Sequence, residues 1–196
     1  MPRVQLFDKE KALKNAMELF WKKGFNGTST RDLEKATGLG TSSIYNSFGG
    51  KEALFFETLQ YYMEAEQFKL GQNIKNSPSA LKALRALFEC VLQEDGGADM
   101  AVSGCFVVNS ITELANHNPR LNEVATTARM GTITILKELV QKAQQQNEIP
   151  AVNDPTQLAI YLQTVMTGLK VSGMLAKDPK ELLSVIDLTI QNLTKK

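Results

Sequence analysis

Between Thr28 and Lys51 the chain reads TSTRDLEKATGLGTSSIYNSFGGK. Within it Thr41, Ser42, Ser43 and Asn46 are small side chains that both donate and accept hydrogen bonds. Ile44 and Phe48 are the apolar residues of the same stretch. A helix over about Thr41–Ser47 therefore has one apolar stripe and an outward polar face without bulk. Such a face gains little from packing. It suits close approach to base edges and phosphates, which bulk would hold out of a groove. The chemistry on offer is hydrogen bonding to nucleic acid.

A helix of that kind needs a mount. Just before it, a short helix around Asp32–Ala36 carries Leu33 and Ala36 inward, and Gly38 breaks it with a left-handed turn that only glycine reaches freely. Thr28 or Ser29 caps its start. Upstream, Asp8 is a good N-cap, Glu10 sits in the positive first turn, and Leu13, Ala16, Met17 and Phe20 fall on one helical face. Lys22, Lys23 and Gly24 end that helix, and Trp21 and Phe25 are expected to pack it on the two short helices. Residues 1–7, with Arg3, read as a loose arm. Two helices around a glycine turn, supported by a third, predict a helix-turn-helix head.

Other chemistries find little support. There is no Gly-rich phosphate loop and no paired metal-ligand motif, and Ser103-Gly104-Cys105 is not a nucleophile elbow. His117, the only histidine, reads as a surface loop residue. An enzyme is not expected, nor a cofactor. Two cysteines form no disulfide framework. Cys90, in phase with Leu84 and Phe88, reads as core. Cys105 reads as a small buried hydrophobe, the usual state of a free thiol, with an electrophile-sensing thiol near a helix start as the alternative. Met63, Phe68, Phe88, Met100, Cys105, Phe106, Met130 and Met166 are candidates to line a small-molecule pocket, against ordinary core.

Net charge is +1, but residues 1–51 hold nine Lys/Arg against five Asp/Glu and the remainder thirteen against sixteen. A basic end on a mildly acidic body fits phosphate contact at one end. No apolar run approaches the roughly 18 residues of a membrane span. The opening MPRVQLFDKEK has no signal-peptide core, so a cytoplasmic protein is expected.

After the head, Lys51 begins a long helix with Leu54, Phe55, Leu59, Tyr62 and Met63 in period, a rod of more than about 30 Å that could transmit displacement. Four pairs then punctuate the chain: Ser77-Pro78, Asn118-Pro119, Asp154-Pro155 and Asp178-Pro179. Proline after a capping residue marks a helix start. The implied helices are 78–94, 119–147, 155–175 and 179–194, with a loop over Gly96–Gly104 and a further helix in CFVVNSITELAN despite its β-branched residues. The expectation is an all-α fold of about nine helices, with a DNA-binding domain over 1–50 and a helical ligand-binding and dimerisation domain over 51–196.

This order, and the segment GFNGTSTRDLEKATGLGTSSIYNSFGGKEALF, resembles the TetR family of bacterial transcriptional repressors. Gly24, Phe25, Thr28, Thr30, Asp32, Leu33, Ala36, Gly38, Tyr45, Phe48, Lys51, Glu52 and Leu54 match the family pattern over about residues 8–56. Beyond that the resemblance is architectural. It implies a homodimer through the last two helices, a double-stranded DNA operator, and a small-molecule effector bound in the body. It implies phosphate contacts from Thr30, Tyr45 and Lys51, and base contacts from the helix carrying Thr41, Ser42, Ser43 and Asn46. For Tyr45 the competing reading is a core aromatic; for Asn46, adenine recognition competes with a solvated residue or a phosphate contact. Gly40 in place of the usual cap predicts a weakly capped recognition helix, and Gly49-Gly50 a loose turn before Lys51. Leu158, Leu162, Val165, Leu169, Met174, Leu183, Ile186 and Ile190, with Gly168 and Gly173, are the expected dimer surface, against packing within the chain. A helical small-molecule binder without specific DNA function is the rival reading of the whole.

Overall fold

The computed structural model describes residues 8–75, 77–92, 104–114, 118–176, 178 and 180–195. The arm 1–7 with Arg3, most of the 96–104 loop with Met100, and His117 lie outside them. Among the described residues there are nine helices and no strand: α1 (Lys9–Lys23), α2 (Thr30–Thr37), α3 (Thr41–Phe48), α4 (Lys51–Lys75), α5 (Ala80–Leu92), α6 (Phe106–Leu114), α7 (Pro119–Gln145), α8 (Pro155–Gly173) and α9 (Lys180–Thr194). The all-α architecture is the expected one.

The chain divides into two compact units, Met1–Glu66 and Gln67–Lys196, with the division inside α4. In the first, α1 packs on α2 and α2 on α3. Asp8 caps α1 by accepting from the Lys11 N–H at 3.0 Å. Ala12, Ala16, Met17 and Phe20 of α1 meet Leu33, Ile44 and Phe48 in burial. The first turns of α4 join them through Leu54, Phe55, Leu59 and Tyr62. Trp21 and Phe25 both meet rings of α4: Trp21 meets Tyr62 edge-on at 5.2 Å and Phe25 meets Phe55 at 5.0 Å.

In the second unit one core joins Leu84, Leu87 and Phe88 of α5 to Leu136 and Val140 of α7, Leu162 and Leu169 of α8, and Ile186 and Leu193 of α9. α6 is helical as expected, because Phe106, Ser110 and Leu114 recur every four residues on its buried side and pack on α7. Asn118 and Asp154 cap α7 and α8 ahead of Pro119 and Pro155, as their spacing predicts.

Ser77-Pro78 does not start α5. The helix begins at Ala80, where Ser79 accepts from the Lys82 N–H at 3.0 Å. Gln146 and Glu148 accept from the Ala80 and Leu81 N–H groups, each at 2.9 Å. Side chains distant in sequence thus supply the cap and move the start. Cys90 is exposed, which corrects its assignment to the core. Leu84, Leu87 and Phe88 already fill the inward face, and a helix turns the second residue past Phe88 outward. Cys105 is buried, as expected.

Several residues expected at a dimer surface are instead intrachain core. Leu162, Leu169 and Ile186 are fully or nearly fully buried, and Leu158, Val165 and Ile190 pack against them. The faces left exposed on these helices carry Ile160, Tyr161 and Val171 on α8 and Leu183, Val185 and Leu188 on α9.

Candidate nucleic-acid interface

α2 is fixed at both ends. Ser29 caps it in a reciprocal box: the Ser29 hydroxyl accepts from the Asp32 N–H at 3.1 Å, and the Asp32 carboxylate accepts from the Ser29 N–H at 3.0 Å. Lys23 donates to the same carboxylate at 3.0 Å. The Ser29 hydroxyl, its backbone N–H and Lys23 together hold the Asp32 carboxyl far below the usual carboxylate range. Thr28 is not the cap; it is buried and donates its hydroxyl to Gly24 O at 2.7 Å. At the other end Gly38 takes φ 73°, and Asn15 of α1 donates to Ala36 O at 2.8 Å. The turn that aims α3 is therefore held by α1 as well as by glycine.

α3 buries Ile44 and Phe48 and exposes Thr41, Ser42, Ser43, Tyr45 and Asn46. Five of the seven residues expected at DNA thus share one short exposed face. Thr30 is exposed at the first position of α2. Lys51 is half-buried at the start of α4, with its Nζ 4.4 Å from the Phe25 ring centroid. That stacking steadies a long flexible side chain at a helix N-terminus.

Two expectations about this surface change. Gly40 provides no side-chain cap, but α3 is not weakly capped. Glu34, on α2, accepts from both the Thr41 N–H at 2.7 Å and the Thr41 hydroxyl at 2.6 Å. The carboxylate also sits where the helix dipole is positive. These bonds, the hydroxyl first, lower the Glu34 pKa. Gly49-Gly50 is not a loose turn either. Both residues take positive φ, 85° and 109°, and a Cβ on Gly50 would lie 3.3 Å from Cζ of Tyr45. Gly50 is the bare seat on which the Tyr45 ring lies, and the ring stays 62% exposed, so the core-aromatic reading of Tyr45 fails.

Sequence reasoning did not single out Glu34. The available signal was a capless Gly40 close after an acidic residue across a glycine turn, since an orphan N–H at a helix start must find an acceptor somewhere.

The candidate pocket residues do not form one set. Phe88 and Met166 share the body core, and Cys105 and Phe106 are buried at the start of α6. Phe68 and Met130 are 69% and 53% exposed, which takes them out of that core; α7 turns Ile133, Leu136 and Val140 inward instead. Met63 is half-buried and belongs to the first unit. An open groove on the body lies elsewhere, along Gln141, Gln144, Gln145, Ala151 and Pro155. Lys170 Nζ lies 3.9 Å from the Cys105 sulfur. Among the described residues no cluster of three or more His, Cys, Asp or Glu could hold a metal, and no helix is long and apolar enough to cross a membrane.

Comparison with known proteins agrees with this geometry. Residues 12–58 match the model of the bacterial regulatory proteins of the tetR family, and residues 80–188 match the tetracyclin repressor-like C-terminal domain. The HTH-type transcriptional repressor ComR of Escherichia coli K12 is 31% identical, over 96% of this chain and 90% of ComR. The HTH-type regulator YezE of Bacillus subtilis 168 is 25% identical, over 98% of this chain and all of its own length. Among solved structures, a cysteine mutant of the TetR-family regulator CifR, in complex with 26-bp double-strand operator DNA, superposes with a TM-score of 0.84 at 26% identity. That match covers 98% of this chain and 100% of CifR. With the helix-turn-helix matched by one model and the helical body by the other, this chain belongs to the TetR family and is a helix-turn-helix transcriptional regulator.

Proposed function

We propose that the chain is a homodimeric repressor that sits on a near-palindromic operator and is released by a small molecule bound in the body. The observation that carries the DNA half of this reading is the exposed face of α3, made of Thr41, Ser42, Ser43, Tyr45 and Asn46 on a mount of Ile44 and Phe48. Thr30, Tyr45 and Lys51 take phosphates; Thr41, Ser42, Ser43 and Asn46 face bases. ComR, a repressor by name, and CifR, solved on its operator, support the assignment.

Two copies place their recognition helices in successive major grooves about 34–36 Å apart. The last two helices supply the dimer contact, through the exposed apolar residues Ile160, Tyr161, Val171, Val185 and Leu188 rather than through the buried ones. An effector works by preferring a body conformation whose head spacing does not fit the operator, and α4, one continuous helix that contributes to both units, is the element that carries the change. The protein acts in the cytoplasm, where its operator is.

Selection of bound sites from random double-stranded DNA tests this reading. A repeated half-site in inverted orientation is expected; enrichment of no sequence over the starting pool refutes it. A helical ligand binder without DNA function predicts that second outcome.

A second reading rests on the 3.9 Å approach of Lys170 Nζ to the buried Cys105 sulfur. That cation beside the sulfur is the observation that supports an electrophile response through Cys105. In that case Cys105→Ser keeps operator affinity and stops answering electrophiles. A response that persists in the variant removes the reading.

A further inference from the structure

Thr41 opens the exposed face of α3, yet its hydroxyl is not free to choose its role. The Thr41 Oγ1 lies 2.6 Å from Glu34 Oε1, and the Thr41 backbone nitrogen lies 2.7 Å from the same oxygen. An ionised carboxylate only accepts hydrogen bonds. The bonds to Thr41 favour that ionised form, as the lowered Glu34 pKa records. The single hydroxyl proton of Thr41 therefore points back at Glu34. What the side chain offers outward is lone pairs and the Cγ2 methyl.

We propose that Glu34 is a specificity-determining residue that acts through Thr41, making it an acceptor-only reader that favours adenine or cytosine over guanine at the base it faces. The inference rests on α3 being the recognition helix. In the major groove adenine presents its N6 amine and cytosine its N4 amine, each a donor that a lone pair can accept from. Guanine presents only the acceptors N7 and O6 there, so lone pair meets lone pair. The Glu34 charge adds repulsion of the same sign. Thymine also lacks a donor, but its methyl can rest against the Thr41 methyl, so the sharp contrast is with guanine. A threonine or serine at this place without the carboxylate would turn its hydroxyl to suit either partner.

Glu34→Gln is the conservative variant. The Thr41 N–H can only donate, so it draws the amide oxygen of the glutamine toward itself, and the hydroxyl donates to that same oxygen. Glu34→Ala removes the acceptor and releases the rotor. Thr41→Val removes the hydroxyl at constant shape.

The test is selection from random DNA with the full-length wild type and these three variants, each checked for helical content. The wild type is expected to deplete guanine about tenfold at one symmetric position of each half-site, the usual scale for a wrong base. Glu34→Gln should keep most of that depletion, losing only the part the charge adds. Glu34→Ala and Thr41→Val should cut it to about threefold or less at the same position, leaving the other positions unchanged. Full depletion in a folded Glu34→Ala, or in Thr41→Val, overturns the proposal. So does a wild-type motif in which no position depletes guanine and responds to Thr41→Val. A wild type that enriches no motif at all refutes the DNA-reading role itself, and that outcome is distinct from the others.

Discussion

Gly50 offers a direct measure of how the head aims Tyr45. Replacing it with alanine does two things. It places a side chain at φ 109°, where L residues are strained, and it puts a Cβ 3.3 Å from Cζ of Tyr45, with two further ring carbons at 3.5 and 3.6 Å. The backbone strain costs about 1–3 kcal/mol. Part of it is offset by roughly 0.4–1 kcal/mol from the stiffer unfolded chain. The ring contact is tight but not prohibitive, and Tyr45 is exposed enough to swing away. Gly38 is the control, with φ 73° and nothing within 4 Å of a Cβ there, so its alanine variant carries backbone strain alone.

The expected result is a net loss of about 1–2 kcal/mol for Gly50→Ala, or a fall in Tm of about 2–8 °C for a chain of this size. The decisive comparison is a double-mutant cycle with Tyr45→Ala. If the ring rests on Gly50, the operator affinity lost in Gly50→Ala and in Tyr45→Ala overlaps, with a coupling of about 0.5 kcal/mol or more. Thermal unfolding followed by circular dichroism gives the stability, and fluorescence anisotropy on a selected operator gives the affinity. Losses of affinity that simply add would refute the seat, because the two residues would then act apart.

Four further outcomes follow from the same geometry. Leu188→Asp, on the exposed side of α9, should convert a dimer into a species of 21.7 kDa by light scattering with helix content kept; an unchanged mass moves the interface elsewhere. Operator affinity should fall at least about tenfold between roughly 50 and 200 mM salt, and Lys51→Ala should flatten the log–log slope by about 1.8, or about 0.9 for each of two heads; an unaltered slope would show that Lys51 neutralises no phosphate. A thiol reagent should modify the exposed Cys90 faster than the buried Cys105 in the native protein, whereas two equally fast thiols would contradict the burial. Acid should weaken the head: Asp32 and Glu34 have lowered folded pKa values, so their stabilisation is complete above the ordinary carboxylate value of about 4 and is lost as pH falls through the lower folded values. Glu34→Gln should show a shallower loss of stability below about pH 4, and an identical acid profile would mean that the carboxylate contributes nothing there.

The amino-acid sequence by itself determined the helices and their order. Hydrophobic period, capping residues and glycine turns are local, and they placed α2, the turn at Gly38 and α3 within a residue or two. The outward set Thr41, Ser42, Ser43 and Asn46 was legible because Ile44 and Phe48 leave a short helix only one way to face. The prolines at 119 and 155 marked two helix starts for the same local reason. Contacts distant in the chain were decided only by tertiary structure. Ser79, Gln146 and Glu148 share the start of α5, which Pro78 alone would have placed too early. On α8 and α9, a broad apolar surface in the sequence does not say which side meets its own chain; packing buried Leu162, Leu169 and Ile186 and left Ile160, Tyr161 and Leu188 outside. At the DNA-facing end, Glu34 caps a helix it does not belong to, and Tyr45 rests on a glycine five residues on. Each of these needs two groups brought together in space; for Glu34 the capless Gly40 signals that an acceptor is needed but not which side chain supplies it.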